Sequence, residues 1–107
     1  MSNNNGVVGG MPGGINIGYG NYVLPKRIVA ILESGSLPMK RLRERSLEAC
    51  LLLDATAGRK TRSLIVLDSK HVVLSALAPQ TLHDRLLENT RSKDAGLAEI
   101  EGGELVS

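Results

Sequence analysis

The chain is 107 residues long, with 42% hydrophobic residues, no Phe or Trp, two Tyr and a formal net charge of +2. A length of this order predicts one domain, and the single cysteine, Cys50, excludes an intramolecular disulfide framework. No apolar run approaches the roughly 18 to 20 residues a membrane-spanning helix needs. The opening MSNNNGVVGGMPGG also lacks the basic and apolar regions of a signal peptide, so a cytoplasmic protein is expected.

Residues 1–14, rich in Asn and Gly, bury too little apolar surface to offset chain entropy and are expected to form a flexible extension. INIG (15–18) and YVL (22–24) predict two short strands joined by a tight bend at Gly18 and Gly20, where glycine tolerates positive φ. RIVAILE (27–33), rich in β-branched residues, reads as a strand ended by the SGS of 34–36. Ser36 is placed to cap a helix over 37–49, with Pro38 in its first turn. Met39, Leu42, Ser46 and Ala49 then share one stripe at helical spacing. CLLLDA (50–55), RSLIVLD (62–68) and HVVLSAL (71–77) read as strands, and their short links predict an antiparallel meander of hairpins. PQTLHDRLLEN (79–89) predicts a closing helix with Leu82 and Leu86 on one face. Residues 90–107 turn acidic and read as a flexible tail. The expected architecture is α+β, a small and mostly antiparallel sheet with both helices packed on one face, in a single domain over 15–89. A core of that size without Phe or Trp is modest, and oligomerisation is one physical remedy.

Catalytic and cofactor chemistry finds little support. Gly18-Tyr19-Gly20 lacks the third glycine of a dinucleotide fingerprint, because position 23 is Val. His71 and His83 sit on different predicted elements and Cys50 has no second thiol, so no metal site is expected. Cys50 lies in an apolar run and reads as a buried packing residue. Asp54 and Asp68 stand at strand ends and read as turn caps. Ser34, Ser63 and Ser75 have no evident base partner. No enzyme activity, cofactor or small-molecule substrate is expected.

Charge is more informative. Between Ile15 and Ala78 there are ten Lys or Arg against five acids, whereas residues 90–107 carry two basic residues against four acids. A basic body with an acidic tail suggests a polyanion partner. The helix segment KRLRERSLE is expected to neutralise itself through Lys40–Glu44, Arg41–Glu44 and Arg45–Glu48. Arg59, Lys60 and Arg62 have no acid within four residues on either side. They read as a basic hairpin tip whose guanidinium groups suit phosphate oxygens, or guanine O6 and N7. Lys26 and Arg27 form a second basic pair, which lines the same edge if the strands lie side by side.

INIGYGNYVLPKRIVAI, LPMKRL, LLLDATAGRKTRSLIVLDSKHVVLSAL and PQTLHDRL together resemble the RemA family, small bacterial regulators of extracellular matrix genes, over about residues 15–86. The resemblance implies a non-enzymatic DNA-binding transcriptional regulator with a fold similar to the DNA-binding domains of LytTR-type regulators. It implies assembly into a homo-oligomeric ring, with double-stranded DNA lying on a basic outer surface, and hence a place at the nucleoid. The positions matching the family's DNA-contacting residues are Arg27, Arg59 and Lys60, with Lys26 and Arg62 as additional candidates. Pro38 matches a proline needed for function, read as an assembly residue. The family usually has Arg where Lys60 stands, and lysine lacks the guanidinium fork, which favours phosphate contact over base reading there. Two alternatives stay open. One is a protein-interaction ring whose basic tip docks an acidic protein. The other is RNA binding, which the scarcity of aromatic side chains for stacking disfavours.

Overall fold

The computed structural model describes residues 13–89. The expected N-terminal extension, apart from Gly13 and Gly14, and the expected acidic tail lie outside the described residues. Strands β1 (Ile15–Gly18) and β2 (Asn21–Val23) form an antiparallel hairpin. A 3-10 turn, Pro25–Arg27, leads into β3 (Ile28–Glu33). Helix α1 (Leu37–Glu48), β4 (Leu52–Asp54), β5 (Ser63–Leu67) and β6 (Val72–Ser75) follow, and helix α2 covers 79–89.

The four later strands form one sheet in the order β3-β5-β6-β4. β3, β5 and β6 pair antiparallel, with Ile31 opposite Ile65 and Leu64 opposite Leu74. β4 pairs with β6 in parallel, Leu53 opposite Val73. The expected meander is therefore corrected. β4 and β5 are not neighbours, and 55–62 is a crossover loop rather than a hairpin tip. The reason lies in the buried pattern. β5 and β6 are apolar on both faces and take the central places. β4 has only three residues and one hydrogen-bonding neighbour.

Strand alternation separates two cores. Ile65 and Val73 point to the face covered by the β1–β2 hairpin and α2, where Ile15, Ile17, Val23, Ala55 and Leu82 are buried. Leu64, Val72 and Leu74 point the other way and pack with Met39 and Leu42 of α1. The helices thus lie on opposite faces of the sheet, not on one. Ser63 and Ser75 are fully buried on the hairpin side and make structural bonds: Ser63 Oγ donates to Leu77 O at 2.6 Å, and Ser75 Oγ to Ile17 O at 2.8 Å. Arg85 Nη1 donates to Asn16 O at 2.8 Å and ties α2 to β1.

Helix α1 begins as its sequence predicts. Ser36 Oγ accepts from Met39 N at 3.4 Å, and Pro38 occupies the exposed first turn. Its end corrects the reading of Cys50, which is exposed at φ 62°. Cys50 N donates to Leu47 O and Leu51 N to Ser46 O, at 3.1 and 2.8 Å. This is a Schellman closure, with cysteine in the left-handed position that usually takes glycine. The expected ion pairs along α1 do not close; among the described residues the ion pair is Arg27–Asp68.

Candidate nucleic-acid interface

The loop 55–62 leaves β4 through an Asp54 cap. Asp54 Oδ1 accepts from Thr56 N at 2.9 Å and from Thr56 Oγ1 at 2.6 Å. The Thr56 hydroxyl and then its amide hold the Asp54 carboxyl below its ordinary pKa, with a smaller contribution from the charge of Arg43. Ala57 and Gly58 follow at φ 52° and 80°, and Arg59 N closes the turn on Thr56 O at 3.0 Å. Positive φ at both central residues makes this a tight reversal inside the crossover loop. The loop then rejoins the sheet, with Arg62 N donating to Ser75 O at 2.8 Å. Arg59, Lys60 and Arg62 are all exposed on this fixed base.

A second tight turn meets the first. Between β1 and β2, Tyr19 and Gly20 lie at φ 54° and 81°. Asn21 Nδ2 donates to Gly18 O at 3.0 Å, and Gly18 N to Asn16 Oδ1 at 2.7 Å. The predicted bend is present, with a tyrosine at its tip. Arg59 Nε donates to Tyr19 Oη at 2.8 Å, and the guanidinium carbon lies 5.1 Å from the centre of the Tyr19 ring. This contact joins residues 40 apart in sequence. Sequence reasoning missed Tyr19; the available signal was a bulky residue between two glycines in a turn.

Arg27 is held elsewhere. Its Nε donates to Asp68 Oδ1 at 3.0 Å, both side chains being about half exposed. Asp68 is thus an ion-pair partner rather than a turn cap, and its amide also donates to Arg27 O at 2.8 Å. Antiparallel register puts Arg27 beside the Leu67 end of β5, whereas Arg62 and Ser34 meet at the Ser63 end. The two basic groups therefore do not share one edge. They stand toward opposite ends of β5, Arg27 at the Leu67 end and Arg62 at the Ser63 end. Both adjoin the β1–β2 hairpin. Arg59 touches its turn, and Arg27 lines a cleft of about 520 Å³ with Tyr22, Val23 and Leu24. The register also places Glu33 opposite Ser63, an exposed carboxylate at the Arg62 end that linear spacing concealed. Lys26 is exposed in the 3-10 turn.

Among the described residues no group of three or more His, Cys, Asp and Glu is arranged to hold a metal ion, and no helix is long and apolar enough to cross a membrane. His71 Nδ1 lies 2.7 Å from Ser69 Oγ in the β5–β6 turn.

A small α+β chain with exposed basic residues near both ends of β5 is the class that fold and site define. The family model described as extracellular matrix regulatory protein A-like, RemA-like, matches residues 15–86, and the chain belongs to this family. Similar proteins occur in Fervidobacterium nodosum (44% identity, covering 87% of this chain and 100% of the relative) and Oleidesulfovibrio alaskensis (47%, covering 73% and 93%). Another is found in Thermodesulfovibrio yellowstonii (47%, covering 78% and 98%). Each is named as a candidate regulatory protein.

Proposed function

We propose that this chain is a non-enzymatic regulator that binds duplex DNA as a homo-oligomeric ring of LytTR-like protomers, contacting the backbone through Arg27, Arg59 and Lys60 and, secondarily, Lys26 and Arg62. The observation that carries this reading is the exposed Arg59-Lys60-Arg62 loop, held on the sheet by the Asp54 cap and the Tyr19 contact. A loop anchored at its base, with Arg59 held on Tyr19, loses less entropy on meeting phosphates, and charge-assisted bonds to phosphate are the strong kind. One protomer offers few contacts, so avidity from repeated copies supplies much of the affinity. Smooth bending of a 20 to 30 bp site by 40 to 90° costs about 1 to 6 kcal/mol, which repeated phosphate contacts offset.

Self-assembly has physical support in the sheet edges. β3 is an edge strand carrying Val29 at 66% exposure, beside a groove lined by Ile31, Pro79, His83 and Leu86. Pro38 and the exposed Leu37 open α1 on the other face. A link to matrix or biofilm genes rests on the family resemblance.

The test is native mass with and without duplex DNA, together with a salt series of binding. We expect an oligomer, and log K falling with log salt at about 0.9 per neutralised phosphate. A monomer whose binding is flat in salt would overturn the proposal. Retention of an acidic protein instead of nucleic acid would favour the protein-interaction reading.

A further inference from the structure

We infer that Tyr19 is a positioning residue for Arg59, an inference that rests on the DNA-binding reading. Its hydroxyl takes Nε and its ring flanks the guanidinium, so that the two terminal nitrogens are presented end-on to phosphate oxygens.

The geometry is specific about which atoms are used. Arg59 donates from Nε to Tyr19 Oη at 2.8 Å, and among the described residues its Nη atoms have no protein partner. A guanidinium has five donors in a plane. Fixing the Nε corner leaves the two-pronged end free, which is the end that matches two acceptor oxygens. The 5.1 Å approach to the ring restrains the plane further. An exposed arginine ordinarily loses substantial rotamer entropy on docking. Here part of that loss is met within the free protein, as preorganisation requires.

The backbone gives an independent indication. Tyr19 sits at φ 54°, a left-handed conformation unusual for a bulky side chain and ordinarily taken by Gly, Asn or Asp. The side chain is half exposed, at 50%, so core packing does not explain it. A tyrosine held in a disfavoured turn position, with its hydroxyl on a cation from 40 residues away, fits a functional constraint better than a folding one. The hydroxyl matters separately from the ring, because phenylalanine would keep the ring contact and lose the acceptor.

Three variants decide it. Tyr19→Phe is expected to weaken duplex binding about twofold, and Tyr19→Ala about fourfold, less than removal of Arg59 itself. Tyr19→Asn suits the left-handed turn, so it should melt at or above the wild-type temperature and still bind DNA more weakly. That pairing of intact fold with lost binding separates positioning from folding. On an Arg59→Ala background, Tyr19→Ala should add little, since Tyr19 acts through Arg59. The DNA-free readout is solvent exchange of the Arg59 Nε proton by NMR, which should accelerate in Tyr19→Phe. If wild type binds duplex and Arg59→Ala weakens it while the Tyr19 variants change neither binding nor exchange, the inference fails and the DNA reading stands. A full Tyr19→Ala loss that persists without Arg59 also overturns it. If wild type binds no duplex, the DNA reading fails and this role fails with it.

Discussion

Arg59 and Arg27 carry the same charge at opposite ends of one strand, but their Nε atoms rest on different partners. Tyr19 is neutral, so Arg59 keeps its own full charge, and Lys60 and Arg62 add to it, with Glu33 opposite Ser63 as the exposed acid at that end. Asp68 is an acid, and its carboxylate offsets Arg27 at 3.0 Å. The turns differ as well. At the Arg59 end each tight turn pairs a left-handed glycine, Gly20 or Gly58, with a left-handed non-glycine residue, Tyr19 or Ala57. At the Arg27 end the β5–β6 connection places Lys70 at φ 76°, where glycine would sit more easily. The contrast teaches that counting cations overstates one end. An arginine on a phenol presents a whole charge to a polyanion, whereas an arginine on a carboxylate presents part of one.

The largest effect should come from removing the unopposed charge. Arg59→Ala is expected to weaken duplex binding on the order of tenfold across all sequences and to flatten the salt dependence by about 0.9 per lost phosphate contact. Arg27→Ala should do less, and titrations of both at several salt concentrations check the order. Equal losses would break the comparison.

Asp68→Asn should act in the opposite direction, tightening binding about threefold and steepening the salt slope by freeing Arg27. A weaker complex would mean that Asp68 anchors Arg27 as Tyr19 anchors Arg59, with its charge secondary.

Smaller effects probe the base of the Arg59 loop. The folded-state pKa of Asp54 is depressed by the Thr56 hydroxyl and then its amide. Its stabilising contribution is therefore complete above the unfolded value of about 3.9 and is lost as pH falls through the lower folded value. Thr56→Val removes the hydroxyl bond and should lower stability by about 1 kcal/mol at pH 7. Urea midpoints of the two proteins should converge as the solution is acidified below about pH 4. A gap that stays constant into acid would place the Thr56 contribution elsewhere.

The smallest changes concern turn strain. Lys70→Gly should raise stability by about 0.5 kcal/mol by relieving positive φ. Gly58→Ala should lower it by about 1 kcal/mol from φ alone, since nothing lies within 4 Å of an added Cβ. Thermal melts of the pair test how much each left-handed position contributes to stability.

Much of the local structure was legible in the sequence. Apolar runs bounded by turn residues located β5 and β6, Ser36 and Pro38 marked the start of α1, and Pro79 opened α2 where expected. Those features depend on neighbours within a few residues. Cys50 misled because an apolar run can end a helix as well as enter a core. Its exposure follows from the Schellman closure of α1.

The basic residues themselves and their freedom from nearby acids along the chain were fixed by sequence alone, as were the turn-forming glycines. Which residues they meet was decided by strand order. Pairing β4 in parallel with β6 made 55–62 a crossover, put the helices on opposite faces, and brought Tyr19 onto Arg59 and Asp68 onto Arg27. The physical reason is that secondary structure answers to local spacing. The partners of an exposed charge depend on how distant strands share one buried sheet, and short connections are compatible with more than one such arrangement.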